Sequence, residues 1–68
     1  MAQVVEIKVL ARLYKSRDVE THVREIFVQG VRAVELRDYI PSSDRYGRGY
    51  WVPEEMRKDV AAALAGED

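Results

Sequence analysis

The sequence has no cysteine, one histidine and two prolines, and charged residues interrupt its apolar segments. Without cysteine the chain forms neither a disulfide scaffold nor a thiolate zinc site, which fits a reducing compartment. Glu6, Lys8 and Arg12 break up the apolar opening segment, so we predict neither a signal peptide nor a membrane anchor there. The 68 residues are expected to form one small domain, and so short a chain buries only about 60% of its unfolded surface. Its core alone is therefore marginal, and a second copy would add to it.

Net charge is also nearly absent, at −1, which argues against a protein that binds duplex DNA by bulk electrostatics. The charge is unevenly spread, however. Residues 1–53 hold nine Lys and Arg against seven Asp and Glu, and residues 54–68 hold two against five. Eight of the eleven cationic residues are arginine, whose guanidinium group can form two hydrogen bonds to a phosphate and can stack on a base. This bias suits a phosphate or nucleic-acid partner, and it suits ordinary surface ion pairs equally well.

Patterns that would indicate catalysis or metal binding are weak. His22 is the single histidine and is predicted to be an ordinary strand residue, so the usual nitrogen and sulfur ligands of a metal site are lacking. Ser16, Ser42 and Ser43 lie in predicted turns without the glycine context of a nucleophile elbow. The Gly-Arg-Gly step at residues 47–49 is too short for a nucleotide-binding fingerprint. We therefore expect a protein that is not an enzyme and that has no cofactor.

Two segments alternate with the period of a β-strand. In residues 5–13 the apolar parity holds Val5, Ile7, Val9, Ala11 and Leu13, and the other parity holds Glu6, Lys8, Arg12 and Tyr14. Period two with β-branched side chains predicts a half-buried strand, and a helix is less favoured because no cap precedes it. Residues 31–40 alternate in the same way, with Val34, Leu36 and Ile40 on one parity.

The segment between them, residues 19–28, fits two structures equally well on local pattern. Val19, Val23 and Ile26 fall at helical spacing, with Asp18 as a possible N-cap and Gly30 as a possible C-terminal stop. The same segment is rich in residues that favour strands, and Gln29-Gly30 resembles a hairpin turn. A helix here would give a β-α-β-β-α fold.

The last third of the chain contains a loop, a short strand and a helix. Pro41 begins a polar loop, and residues 50–52 form an apolar run short enough to be a strand. Pro53 suits the first helical position. The predicted helix has an apolar stripe of Met56, Val60, Ala63 and Leu64 and a second face of small residues, Ala61, Ala62 and Ala65. It is expected to end at Gly66, and Glu67 and Asp68 are expected to form a solvated tail.

Arginines and aromatic residues alternate through the region before this helix. They are Arg37, Tyr39, Arg45, Tyr46, Arg48, Tyr50 and Trp51. Such mixtures bind single-stranded nucleic acid, because cations follow the phosphate backbone while rings stack on unpaired bases. If Val52 points into the core, Trp51 faces outward; if Trp51 is the core residue, Val52 and Tyr50 are exposed.

The order of these elements from Glu35 onward resembles a known family. The segment ELRDYIPSSDRYGRGYWVPEE places LRDY at residues 36–39, RYGRG at 45–49, a strand end at Val52 and an acidic helix start at Glu54 and Glu55. It is similar to the single-stranded-DNA-binding domain of the transcriptional coactivator positive cofactor four, and more closely to its small bacterial relatives. The match covers about half of the chain, and its specificity lies in the order and spacing of the pieces.

The resemblance implies a small α+β fold, with a curved four-stranded antiparallel sheet followed by one C-terminal helix. It implies that residues 19–28 are a strand, that the chain dimerises through the helix, and that it binds single-stranded DNA, or else RNA or unwound duplex. It also implies a role in transcription, replication or repair in the cytoplasm or at the nucleoid. The expected binding residues are Arg37, Tyr39, Arg45, Arg48 and Trp51, with Lys8, Arg12 and Arg24 as outer contacts. The competing hypothesis is a protein-interaction module or small regulator that binds no nucleic acid.

Overall fold

A computed structural model describes residues 3–66 of the chain. These residues form one antiparallel sheet of four strands in the order β1-β2-β3-β4. The strands are β1 (Val4–Ser16), β2 (Val19–Val28), β3 (Val31–Ile40) and β4 (Arg45–Pro53), and a 3₁₀ turn at Glu54–Met56 leads into α1 (Arg57–Leu64). The predicted curved sheet with one C-terminal helix is confirmed. The predicted tail at Glu67 and Asp68 lies outside the described residues.

Residues 19–28 are a strand, so the alternative fold with a helix at this position is wrong. β2 pairs with β1 on one side and with β3 on the other. Gln29 and Gly30 connect β2 to β3 with φ angles of 52° and 77°. Positive φ at both positions is what a two-residue type I′ hairpin requires. The hairpin turn and the β-branched composition therefore outweigh the helical spacing.

β1 does not keep one apolar parity, because its register with β2 shifts at three places. The shifts lie between Glu6 and Lys8, between Val9 and Ala11, and between Tyr14 and Ser16. Each added residue reverses the alternation of the side chains. Val9 therefore lies opposite Arg24, while Ala11 lies opposite Val23 on the other face of the sheet. The prediction of a single apolar parity from Val5 to Leu13 is wrong for this reason.

One face of the sheet, named here the apolar face, lies against α1. It carries Val23, Val34, Leu36 and Val52, and an open groove of about 300 Å³ separates them from Val60, Ala61 and Leu64 of the helix. Val52 is buried. The helix itself has no buried residue, and Leu64 is 76% exposed. The sheet and helix thus leave apolar surface open between them.

A second buried cluster lies on the other face of the sheet, near the hairpin. Ile26, Val28 and Ala33 are almost inaccessible to solvent and pack together. Burial is therefore divided between two small clusters on opposite sides of the sheet, as expected for a chain too short for one large core.

No helix in residues 3–66 is long and apolar enough to cross a membrane.

Candidate nucleic-acid interface

The face opposite the helix carries Arg12, Arg24 and Arg37 together with most of the aromatic side chains, and is named here the arginine-tyrosine face. Directly opposed residues of antiparallel strands share a face, so the register assigns its members. They form three rows across the strands: a tryptophan row of Val9, Arg24, Glu35 and Trp51; an arginine row of Arg12, His22, Arg37 and Gly49; and a tyrosine row of Tyr14, Glu20, Tyr39 and Tyr46. The arginine row thus lies between two rows that contain aromatic residues.

Three rings join the arginine row to the tyrosine row. The His22 ring stacks on Tyr39 with centroids 4.8 Å apart, and Tyr46 lies 4.9 Å from Tyr39 and 5.7 Å from His22. His22 is buried, and its Nε2 lies 3.0 Å from Oε1 of Glu20. The guanidinium carbon of Arg24 lies over the Tyr46 ring, 5.9 Å from its centroid. These contacts hold the tyrosines in fixed positions on the sheet.

Arg24 is bound by two carboxylates on the same face. Its Nε and Nη2 both lie 2.6 Å from Oε1 of Glu35, and its Nη1 donates to Oε1 of Glu6 at 3.1 Å. Burial acts to lower the pKa of Arg24, but hydrogen bonds to Glu35 and Glu6 outweigh it, and the pKa is raised above its ordinary value. The charge of Arg24 is therefore largely offset before any ligand arrives.

The two arginines of the arginine row are less compensated. Arg37 has a looser pair, with Nη2 3.6 Å from Oε2 of Glu35, and its side chain is 34% exposed. Among the residues that the structure describes, Arg12 makes no ion pair. Available positive charge on this face is thus concentrated at Arg12 and Arg37, on either side of His22.

The alternative positions for Trp51 are resolved by the register of β4. Trp51 lies opposite Glu35 on the arginine-tyrosine face and is 42% exposed. Its neighbours Tyr50 and Val52 lie opposite Leu36 and Val34 on the apolar face. Val52 is therefore the core residue, and the Trp51 ring is accessible.

The structure brings together only part of the predicted binding set. Arg12, Arg24, Arg37, Tyr39 and Trp51 share the arginine-tyrosine face. Lys8 and Arg45 lie opposite Glu25 and Ile40, which places both on the other face. Arg48 lies in the irregular stretch of β4 between Tyr46 and Gly49. The prediction that Lys8 shares a side with Arg12 is wrong, because the register shift between Val9 and Ala11 reverses the alternation of side chains between them.

Two residues of this face were not predicted as part of the site. His22 is a strand residue, as predicted, and its ring also contacts those of Tyr39 and Tyr46. Glu35 was not singled out, yet its side chain is only 4% exposed and pairs with two arginines. The hairpin could have predicted the cross-strand neighbours of both residues. Val28 faces Val31 across the Gln29-Gly30 turn, so residues of β2 and β3 whose numbers add up to 59 face each other. That rule places His22 opposite Arg37 and Arg24 opposite Glu35.

The end of the sheet beside the tyrosine row is fixed by polar contacts. The Tyr39 hydroxyl donates to Oδ1 of Asp44 at 2.5 Å, which together with burial raises the pKa of Tyr39. Ser42 donates through its backbone N–H and its hydroxyl to the carboxylate of Asp18. The β3–β4 loop is thus bound both to the β1–β2 turn and to the ring cluster.

On the apolar face near this end, Lys15 donates to Oδ2 of Asp38 at 2.7 Å. This hydrogen bond lowers the pKa of Asp38, although burial opposes it.

Within residues 3–66 no three histidine, aspartate or glutamate side chains gather as ligands for a metal ion. The chain matches no protein-family model, no curated protein and no solved structure. The resemblance of residues 35–55 to the positive cofactor four family therefore stays a prediction.

Proposed function

We propose that this protein binds single-stranded DNA on its arginine-tyrosine face and acts as a homodimer in transcription, replication or repair. The observation that carries the proposal is the arginine row of Arg12, His22 and Arg37 between the accessible rings of Trp51 and Tyr46. Cations in such a row can follow the phosphates, while the rings beside them accept unstacked bases. The same arrangement would bind single-stranded RNA, which a comparison of the two oligonucleotides tests.

The face of one copy is small. Four strands about 4.8 Å apart span only about 14 Å across the rows, which is room for a few nucleotides. Much of the charge on the tryptophan row is already offset by Glu6 and Glu35. We therefore expect modest affinity per copy and a marked fall in affinity as salt is added, since Arg12 and Arg37 supply most of the phosphate contacts.

A second copy of the chain is the proposed partner of the apolar face. The groove between sheet and helix is lined almost entirely by apolar groups, and Leu64, which lines it, is exposed. A contiguous apolar surface of this kind is typical of protein interfaces. Covering it with another copy would enlarge the core of a domain that is otherwise marginal, and would present two arginine-tyrosine faces to one DNA strand.

The direct test is a fluorescence anisotropy titration with a labelled oligothymidine at several salt concentrations. Wild-type protein should bind, and its log affinity should fall linearly with log salt. Arg12→Ala and Arg37→Ala should each weaken binding. Arg32→Ala is the matched control, because Arg32 is exposed and lies opposite Phe27 on the apolar face. Absence of salt-sensitive binding below about 100 μM would contradict the proposal, since even non-specific binding usually reaches that range.

The second candidate function is a protein-interaction module that binds no nucleic acid. The groove beside the exposed helix favours it, because nearly all of the residues that line the groove are apolar. The two functions differ in what remains bound during purification. Co-purified nucleic acid that high salt removes supports the first, and a stable protein partner that high salt leaves in place supports the second.

A further inference from the structure

Gly49 and Arg37 lie opposite each other at the β4 end of the arginine row. A Cβ atom at position 49 would lie 2.7 Å from Nε of Arg37 and 3.3 Å from its Cβ. The first distance is shorter than non-bonded carbon and nitrogen atoms tolerate, so a side chain at position 49 would displace the guanidinium group. The arginine side chain thus uses the space that the glycine leaves.

The need for glycine here is steric and not conformational. Among the described glycines, Gly30 and Gly66 have positive φ angles and Gly49 does not, so the backbone conformation at position 49 does not require glycine. Gly47, in the same Gly-Arg-Gly step, differs in its surroundings, because a Cβ there would meet Asp38 Cβ at an ordinary 3.6 Å. The two glycines therefore form a matched pair for substitution, because an added side chain would collide with an arginine at position 49 but not at position 47.

Arg37 is held closely along part of its length. Its Nε is buried and has no hydrogen-bond partner among the described residues, while the side chain as a whole is 34% exposed. The exposed surface therefore belongs to its other atoms. On the neighbouring strand β2 the opposite residue is the buried His22, so the arginine lies between that residue and the bare backbone of Gly49.

We propose that Gly49 is a positioning residue for DNA binding, which lets Arg37 lie against β4 with its guanidinium held toward a phosphate. The inference rests on the proposed function. An arginine restricted to one conformation loses less rotamer freedom when it binds, so its contact contributes more to affinity than that of a free surface arginine. Any side chain at position 49 removes this restriction and moves the guanidinium away from the arginine row.

The experiment compares Gly49→Ala, Gly47→Ala, Arg37→Ala and the double variant Arg37→Ala/Gly49→Ala in the anisotropy titration. Loss of a charged hydrogen bond should make Arg37→Ala bind roughly 10-fold or more weakly. Its salt slope should fall by about 0.7, the value for one contact to a single strand. Gly49→Ala should reproduce most of both changes, and Gly47→Ala should stay within about twofold of wild type, as for a site that makes no contact. In the Arg37→Ala background, Gly49→Ala should have little further effect, since the two positions act as one unit.

Urea unfolding of the same variants separates a failure to fold from a failure to bind. Gly49→Ala should lower the unfolding midpoint more in the wild-type background than in the Arg37→Ala background, because truncation removes the 2.7 Å contact with Nε and leaves only the milder 3.3 Å contact with Cβ. If Gly49→Ala does not fold, folding of the double variant supports the inference, and its failure to fold overturns it.

The outcomes distinguish the two proposals. Wild-type binding with an unchanged salt slope in Gly49→Ala overturns the positioning role and leaves the proposed function intact. Equal and additive effects of Gly49→Ala in the two backgrounds overturn the positioning role as well. Absence of salt-sensitive binding by wild-type protein overturns the proposed function, and the positioning role with it.

Discussion

The buried ring of His22 stacks on Tyr39 at a centroid distance of 4.8 Å and an interplanar angle of 29°. This contact joins β2 to β3 at the border between the arginine and tyrosine rows. It fixes the ring of Tyr39 independently of the hydroxyl, which is bound separately to Asp44. Ring and hydroxyl therefore make different contributions, which substitutions can separate.

Tyr39→Phe should lower the free energy of unfolding slightly, because it removes one exposed hydrogen bond to Asp44, and should keep DNA affinity. Tyr39→Ala removes the ring as well, so it should also weaken DNA binding by up to about 1–3 kcal/mol, the value of a stacked base. Urea unfolding and anisotropy titrations measure the two quantities. A Tyr39→Phe variant that bound as weakly as Tyr39→Ala would show that the hydroxyl, and not the ring, contacts the ligand.

Trp51 and Val52 are neighbours in the chain on opposite faces of the sheet, and they should respond in opposite ways. Trp51→Ala should weaken DNA binding by about 1–3 kcal/mol, because the ring is 42% exposed and can stack on a base. Val52→Ala should cost about 2 kcal/mol of stability and leave the affinity of the folded protein unchanged. Anisotropy and urea unfolding on both variants test this. Normal DNA binding by a destabilised Trp51→Ala variant would assign the tryptophan to the core.

Glu35→Gln should weaken the fold and strengthen DNA binding. The buried carboxylate holds both Arg24 and Arg37, so its neutral form should lower the free energy of unfolding by about 1–3 kcal/mol. The same change frees positive charge on the arginine-tyrosine face, which should raise affinity and steepen the salt dependence.

The control for this prediction is Glu25→Gln, which makes the same change in net charge on the apolar face. Glu25 contacts Arg57 at 3.4 Å and is remote from the arginine row. Its substitution should change affinity far less than Glu35→Gln. Equal gains in the two variants would mean that net charge alone governs binding.

The oligomeric state should depend on Leu64. Leu64→Asp places a charge in the groove beside the exposed helix, so sedimentation equilibrium should show a dimer for wild-type protein and a monomer for the variant. Tyr14→Asp, an equally exposed position on the arginine-tyrosine face, should stay dimeric. A monomeric wild-type protein at high concentration would contradict the proposed partner of the apolar face.

The Lys15–Asp38 pair should be visible in an acid titration. Because the hydrogen bond from Lys15 lowers the pKa of Asp38, the pair stabilises the fold above roughly pH 4 and loses this effect as the pH falls through the lowered pKa. In Lys15→Met the pKa of Asp38 should move upward toward its ordinary value. NMR titration of the side-chain carboxyl carbon measures it directly. An unchanged pKa in Lys15→Met would assign the shift to another group.

Most of the strands and the helix could be predicted from local sequence patterns. The period-two pattern of residues 31–40, the turn at Gln29-Gly30 and the acidic start of the helix each predicted an element that the structure contains. Residues 19–28 could not be assigned from local pattern, because helical spacing and strand composition conflicted there. The family resemblance implied a strand, and the pairing with β1 and β3 confirms it.

The candidate site was less accessible to prediction, for two physical reasons. Bulges are set by non-local pairing, so simple alternation placed Lys8 on the wrong face. The role of Glu35 depends on the cross-strand pairs Arg24–Glu35 and Glu35–Trp51, which appear only once the register is known. Arg37 and Tyr39 could be placed on one side of β3 from sequence, whereas the side of Trp51 was decided only by the register of β4.

The bulges of β1 also bear on whether this edge of the sheet can pair with another chain. β1 is a 13-residue strand at the edge of the sheet, and exposed Val5, Ile7, Val9 and Leu13 lie along it. A flat edge of this length and composition would offer its unpaired backbone groups to another chain. Three irregularities in register bend and twist the strand, so no long uninterrupted stretch is available for such pairing. Removing Ile7 or Leu10, and with it a bulge, would straighten this edge and favour fibrillar assembly.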